Sequence, residues 1–181
     1  VIATRNGLTI RFPGVNDKGE LEVRHMGRVA RGVKGIDLQK GDEIVDMIVL
    51  TGAEDARLLT VTENGYGKRT PLEQYRIQGR GGKGVIDIVT GERNGRVAGA
   101  VEVSEHDKVM LITDTGRVIK MGVDSIRETS RNTKGVTLMR VEGDERVVGV
   151  ARVAEDDEDE TMDVLVEPEE LDGAEAIEGE E

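Results

Sequence analysis

The segment Arg80-Gly81-Gly82-Lys83-Gly84-Val85 occurs in related form at two further places in this chain of 181 residues. Its counterparts are Arg31-Gly32-Val33-Lys34-Gly35-Ile36 and Arg131-Asn132-Thr133-Lys134-Gly135-Val136, and the three arginines are 49 and 51 residues apart. A repeat of this length corresponds to one supersecondary unit of a propeller or similar array. We call these segments the first, second and third basic turns. Because the repeated part is cationic, the sequence predicts positive charge at regular intervals, which suits a long anionic polymer.

A second repeated element precedes each basic turn. It is the pattern Thr-x-x-Gly, at Thr4 to Gly7, Thr62 to Gly65 and Thr113 to Gly116. The glycine lies 15 residues before the arginine in the second and third units but 24 before it in the first, so we expect a loop insertion at 12–20. The pattern predicts three blades, at 1–50, 51–102 and 103–154, the first of them incomplete or strand-exchanged. We expect the chain to be a fragment of a longer protein with further repeats upstream.

The composition favours an all-β fold of short antiparallel strands. Val and Ile occur in short runs bounded by 24 glycines and by Asn and Asp, and there are only two Tyr, one Phe and no Trp. Asn6-Gly7 and Asn64-Gly65 are typical of hairpin turns. The absence of cysteine excludes disulfides and fits a cytosolic protein, and no apolar run approaches the roughly 18 residues of a membrane span.

The charge is divided unevenly along the chain. The net charge is −12, but residues 155–181 contain 15 acidic and no basic residues, which leaves 22 acidic and 25 basic residues in 1–154. A weakly basic body is therefore followed by an acidic tail, which we expect to be disordered because it repels itself and has little to bury. Within the tail, the apolar run at 162–166 could dock on the body or add an edge strand.

Several segments resemble the C-terminal domain of the bacterial DNA gyrase A subunit. They are 62–71, the box-like motif Gln78-Gly79-Arg80-Gly81-Gly82-Lys83-Gly84, 112–116 and 130–136. The resemblance implies a β-pinwheel, a propeller-like and here partial ring of four-stranded antiparallel blades that exchange strands. It also implies a DNA-wrapping role in ATP-dependent negative supercoiling by a type IIA topoisomerase, in a heterotetramer with the rest of the gyrase A subunit and with the gyrase B subunit. The box of the family has Arg at its second position, where this chain has Gly79, so we interpret 78–84 as a relative of that box.

The resemblance and the cationic turns together predict a site for duplex DNA. Arginine offers a planar fork and lysine a flexible charge to phosphate, while glycines leave backbone N–H groups accessible. The predicted DNA contacts are Arg31, Lys34, Lys68, Arg69, Arg76, Arg80, Lys83, Arg117, Lys120, Arg131 and Lys134. Turns of this size cannot fill a groove, so binding should depend on charge and on the bendability of the DNA.

The sequence does not predict a catalytic or metal site. In the resembled family the nucleophilic tyrosine lies in the N-terminal part, and ATP and Mg are bound by other parts, so we expect no cofactor here. Tyr66 is expected to contact a phosphate or pack, and Tyr75 to be semi-buried. The alternatives are the C-terminal domain of the topoisomerase IV A subunit or a propeller-type protein-interaction scaffold. The expected location is the bacterial cytoplasm, in association with the nucleoid.

Overall fold

The computed structural model describes residues 1–15, 18–19 and 21–153, which form short strands, two 3-10 turns and no α-helix. The strands are β1 (Ile2–Thr4), β2 (Leu8–Ile10), β3 (Ile44–Met47), β4 (Arg57–Thr62), β5 (Tyr66–Pro71), β6 (Val85–Ile86), β7 (Val97–Val103), β8 (Lys108–Thr113), β9 (Val118–Gly122), β10 (Val136–Thr137) and β11 (Val147–Val153). The 3-10 turns are Leu72–Gln74 and Val123–Ser125, each directly after the second strand of a hairpin. The predicted all-β class is confirmed.

The strands form three antiparallel sheets. The first has the order β3-β1-β2-β6, the second β10-β5-β4-β7 and the third β11-β8-β9. The prediction of four-stranded blades is confirmed in the first two sheets, while the third has three strands within the described residues.

Each four-stranded sheet takes one strand from the following unit of the sequence. The strand β6 follows the second basic turn but pairs with β2, with Ile86 opposite Leu8. In the same way β10 follows the third basic turn and pairs with β5, with Thr137 opposite Tyr66. This is the strand exchange of a β-pinwheel. The predicted blade limits at 50 and 102 stay a prediction.

The Thr-x-x-Gly patterns close the central hairpins, and within the described residues the first two of them receive the exchanged segments. The N–H of Gly65 donates to Thr62 at 2.9 Å, and Gly65 has a φ of +75°. Its carbonyl accepts from both Leu138 (2.9 Å) and Met139 (3.0 Å). A Cβ at Gly65 would lie 2.0 Å from the carbonyl oxygen of Met139, so only glycine permits this approach. The turn at Gly7 repeats the arrangement, and both predicted hairpins are confirmed.

The core between the sheets is built mainly from aliphatic side chains. The largest cluster joins Leu59 and Val61 of β4 to Val109 and Leu111 of β8. A second cluster contains Tyr75, which is only 1% exposed, so its predicted semi-buried position is wrong. The phenolic group is enclosed because the polar partners described below satisfy its hydroxyl.

Two predicted features lie partly or wholly outside the described residues. The loop at 12–20 is described except at 16–17 and 20, with an isolated antiparallel bridge between Val15 and Leu21. The acidic tail at 155–181, including the apolar run at 162–166, lies outside the described residues. Among the residues that are described, no helix has the length and apolar character needed to cross a membrane.

Candidate nucleic-acid interface

The second and third basic turns each lead directly into an edge strand. The second ends at Val85, the first residue of β6, and the third ends at Val136, the first residue of β10. Since β6 and β10 are the edge strands of their sheets, the turns lie where one blade passes its strand to its neighbour. The strand exchange thus fixes where the cationic turns are presented.

A glycine after each lysine permits this close pairing. Gly84 has a φ of +76°, and a Cβ there would lie 2.8 Å from the carbonyl oxygen of Thr9 in β2. Gly135 has a φ of +73°, and its Cβ would lie 2.7 Å from the carbonyl oxygen of Gly67 in β5. Left-handed backbone and close backbone contact both require glycine. The Lys-Gly pair of the repeat therefore combines an exposed charge with an anchoring residue.

Backbone hydrogen bonds join the first basic turn to the second, and the third to the strand segment that follows the second. The N–H of Gly81 in the second turn donates to Gly35 of the first at 2.7 Å. The N–H of Asn132 in the third turn donates to Asp87, two residues beyond the second turn, at 2.8 Å. The three turns therefore form one connected run along the molecule, which we call the basic run.

The arginines and lysines of the basic run differ in their contacts. Arg80 donates to the carbonyl of Lys34 (3.0 Å), and Arg131 donates to the carbonyl of Ile86 (2.8 Å), so both are half-buried clamps between segments. A guanidinium has five N–H donors, which leaves some for phosphate. The three lysines and Arg31 are exposed. Lys34 pairs with Asp37, and this contact lowers the pKa of the Asp37 carboxyl.

The prediction that Lys68 contacts DNA is wrong. Its side chain is fully buried and its ammonium lies 2.8 Å from a carboxylate oxygen of Asp87. In β5 alternate side chains face opposite sides of the sheet, and Lys68 is on the inner side. A buried ammonium with a buried partner cannot also reach a phosphate.

The other flanking cations vary in availability. Arg69 is only 11% exposed and donates to the carbonyl of Ile126 at 2.6 Å, so it mainly joins β5 to the third unit. Arg117 is exposed but paired with Glu145 at 2.6 Å. Arg76 and Lys120 are exposed. Arg76, Lys120 and Arg117 are exposed and therefore stay predicted DNA contacts. Arg69 exposes little of its side chain to a phosphate.

A second cationic feature was not anticipated from the sequence. An open groove of about 460 Å³ between the second and third units is lined by Tyr66, Arg93, Arg140 and Arg146. The guanidinium of Arg93 lies 5.1 Å from the ring centre of Tyr66, within cation–π range. The neighbouring guanidinium lowers the pKa of the Tyr66 hydroxyl. These arginines lie outside the repeated turns, so the repeat gave no signal for them.

Asn94 is another residue that the sequence did not indicate. It is fully buried, and its side-chain amide donates to Val89 (2.9 Å) and to Lys134 (3.2 Å). It therefore holds the backbone of the third basic turn. In the sequence it lies in a charged turn-like stretch, and nothing local distinguishes it from a solvated loop residue. Within the described residues, no group of three or more His, Cys, Asp or Glu could hold a metal ion.

The exchanged four-stranded sheets and phased turns define a propeller-type repeat protein. The family model for "DNA gyrase C-terminal domain, beta-propeller" matches residues 1–51, 56–104 and 107–154. The chain therefore belongs to the DNA gyrase C-terminal domain family.

Similar proteins agree with this assignment. The DNA gyrase A subunit of Salmonella typhimurium is 46% identical over 159 residues, 88% of this chain and 17% of that protein. The DNA gyrase A subunit of Pseudomonas aeruginosa is 46% identical over 157 residues, 84% of this chain and 16% of that protein. The chain thus spans about a sixth of the length of these relatives.

Two solved domains share the architecture. The C-terminal domain of DNA topoisomerase IV matches with a TM-score of 0.75 and 28% identity, over 84% of this chain and 46% of the other. The DNA gyrase A C-terminal domain matches with a TM-score of 0.74 and 25% identity, over 83% of this chain and 49% of the other. The likeness in fold is nearly equal for both.

Proposed function

We propose that this chain is a DNA-wrapping module of the DNA gyrase A subunit, which bends duplex DNA along the basic run. The observation that carries the proposal is that Lys34, Lys83 and Lys134 are exposed on turns that backbone hydrogen bonds connect, directly or through Asp87. Phosphates recur along a duplex, so cations that recur along the basic run can neutralise several phosphates of one duplex if that duplex follows the run. The half-buried Arg80 and Arg131 hold the turns in place and add donors beside the lysines.

The proposed chemistry is that of binding alone. In the whole enzyme, the nucleophilic tyrosine, ATP and Mg belong to other parts of the gyrase A and B subunits, while this module orients the DNA for strand passage. The product is negatively supercoiled DNA in the bacterial cytoplasm, at the nucleoid. The arginines of the groove beside Tyr66 extend the cationic surface and supply further phosphate contacts.

A topology assay tests the wrapping. Closed circular DNA is relaxed by an unrelated topoisomerase in the presence of the chain, and the linking number of the product is measured. We expect a shift that grows with protein concentration and is lost with K34Q/K83Q/K134Q. K83Q alone should weaken the shift more than K40Q, which removes an exposed lysine outside the basic turns. An equal loss in K83Q and K40Q would mean that only net charge matters.

The second candidate is the corresponding domain of topoisomerase IV, because its solved structure matches this chain as well as the gyrase domain does. The curated relatives at 46% identity favour gyrase. The two are separated by supplying the chain as part of its full-length protein, together with ATP and the partner subunit. Negative supercoiling of relaxed circles supports gyrase, and relaxation or decatenation without supercoiling supports topoisomerase IV.

A further inference from the structure

The second unit contains a buried polar cluster. The carboxylate of Asp87 accepts hydrogen bonds from Lys68 (2.8 Å), Thr60 (2.6 Å) and Tyr75 (2.5 Å). Lys68 also donates to Thr70 at 2.6 Å. All five side chains are at most 1% exposed. We call Thr60, Lys68, Tyr75 and Asp87 the polar set.

The repeat shows which residues occupy the same positions elsewhere. Counting from the Thr-x-x-Gly glycine, Lys68 corresponds to Ile10 in the first unit and to Ile119 in the third. Counting from the arginine of the basic turn, Asp87 corresponds to Leu38 and Leu138. The two charged positions of the second unit are therefore aliphatic in both of the others.

The other two members follow the same rule in the third unit. Thr60 and Tyr75 correspond there to Leu111 and Ile126, which are buried in an apolar cluster. Ile119 and Leu138 pack against that same cluster. The fold therefore accepts aliphatic residues at all four positions, and an ion pair is not needed to fill the space.

The buried charges of Lys68 and Asp87 therefore need a role other than filling space. A buried ion pair is weak evidence for stability, because an apolar set of similar volume is often as stable or more so. Desolvation lowers the pKa of the Lys68 ammonium, and Asp87 opposes that effect. The best-attested use of buried polar or charged groups is to select one pairing among similar ones.

Strand exchange between similar repeats needs such a selection. The segment 85–88 docks on the first sheet and places Asp87 against the second unit, while 136–139 docks on the second sheet and places Leu138 against the third. If 85–88 took the place of 136–139, Asp87 would enter an apolar cluster without a cation. The reverse error would leave Lys68 with no carboxylate.

We propose that Lys68 and Asp87 form a pairing key that decides which exchanged segment each sheet accepts. The backbone carbonyl of Asp87 also accepts from Asn132 in the third turn, so the segment that the key selects lies directly against the next basic turn. The key excludes wrong segments of the same chain and equivalent segments of other copies of the chain. Its role does not depend on DNA binding, so it can be tested without DNA.

Introduced cysteines report the two pairings, since the chain has no cysteine of its own. L8C/I86C reports the native exchange, because Leu8 and Ile86 are opposite residues. Y66C/I86C reports the wrong exchange, because Ile86 corresponds to Thr137, the residue opposite Tyr66. The 181-residue chain is refolded from urea and oxidised, and the disulfide-linked peptides are quantified by mass spectrometry.

The variants separate selection from stability. T60V/K68I/Y75F/D87L removes the polar set and is compared with K68I and D87L alone. We expect both single variants to be less stable than the fourfold variant, since each leaves one buried charge unpaired. In the fourfold variant we expect the fraction of the Y66C/I86C disulfide to be higher by about tenfold or more than in the chain that keeps the polar set.

Moving the key provides the converse test. I119K/L138D is added to the fourfold variant, so that the ion pair lies in the third unit. If segment 85–88 then replaced 136–139, the D87L side chain would face the I119K ammonium and leave it unpaired. We expect the wrong disulfide to fall back toward its original fraction. The proposal is overturned if the Y66C/I86C disulfide is as rare in the fourfold variant as in the chain that keeps the polar set. It is also overturned if the fourfold variant does not refold, because the cluster would then serve stability alone.

Discussion

Gly84 shows how one residue decides both the shape and the charge of the interface. Its φ of +76° and its contact with the carbonyl of Thr9 leave no room for a side chain. Lys83, one residue earlier, is exposed to solvent by the same backbone path. Gly79 lies in the same motif, but a Cβ there would meet nothing within 4 Å, and its φ is not positive. The two glycines therefore have different physical roles.

Replacing Gly84 by alanine should destabilise the fold, and replacing Gly79 should not. The left-handed conformation costs a non-glycine residue roughly 1–2 kcal/mol, and the overlap with Thr9 adds to it. We expect G84A to lower the free energy of unfolding by about 2 kcal/mol or more and G79A to change it by less than about 0.5 kcal/mol. Urea unfolding followed by circular dichroism gives both values. Equal effects would show that the close approach of β6 to β2 is not required.

Glu145 makes one part of the third unit sensitive to pH. Its carboxylate accepts from the hydroxyl of Thr115 (2.7 Å) and from Arg117 (2.6 Å), and these contacts lower its pKa. A carboxyl whose pKa is lower in the folded state stabilises the fold above its unfolded pKa of about 4.3, and this contribution is lost as the pH falls.

E145Q should therefore be less stable than the unchanged chain at neutral pH. The difference should close as the pH falls from about 5 toward 3, because the carboxyl of the unchanged chain becomes protonated in that range. Unfolding midpoints measured across this range test the sign. D144N, which changes an exposed carboxylate of the same turn, is the control. A difference that stays constant with pH would mean that the hydrogen bonds, and not the charge, carry the effect.

Among the strands, β9 differs from its counterparts β2 and β5. Those two strands are covered by β6 and β10, whereas β9 is the last strand of its sheet in the described part of the chain. Val118 at its start is 52% exposed. An uncovered apolar edge offers unpaired N–H and C=O groups and is prone to pairing with another chain.

We expect the chain to associate through β9 at high concentration. V118K should reduce this association, because a charged side chain on an edge strand opposes pairing. V29K adds the same charge at an exposed valine outside the strands and serves as the control. Sedimentation velocity over a range of concentrations compares the two. Association reduced equally by both variants would exclude β9 as the contact.

Across the three sheets together, some features follow from local sequence and others do not. The repeat predicts the sheets, the hairpins at Gly7 and Gly65 and the exposed lysines, because each depends on residues close together in the chain. It does not predict that Lys68 is buried, because its partner Asp87 is 19 residues away, on a segment that docks on another sheet. Strand exchange is a non-local property, so the contacts that it creates appear only in three dimensions.

The salt dependence of DNA binding tests the basic run as a unit. If Lys34, Lys83 and Lys134 each neutralise one phosphate, the slope of log K against log salt should become less negative by about 2.7 in K34Q/K83Q/K134Q, at about 0.9 per phosphate. Fluorescence anisotropy with a short duplex at several salt concentrations gives the slope. The single variants K83Q and K40Q provide the calibration, because one removes a charge of the basic run and the other an exposed charge outside it.

The same measurement distinguishes local contact from a general field. A lysine that meets a phosphate changes the slope by nearly one unit, whereas a distant charge changes the affinity weakly and at low salt only, because charges beyond about 10 Å are screened at about 0.1 M salt. We expect K83Q to change the slope and K40Q to leave it nearly unchanged. If the triple variant kept the original slope, the phosphates would have to be held by other cations, with the arginines around Tyr66 the first to test. DNA would then cross the blades along the groove and not along the turns.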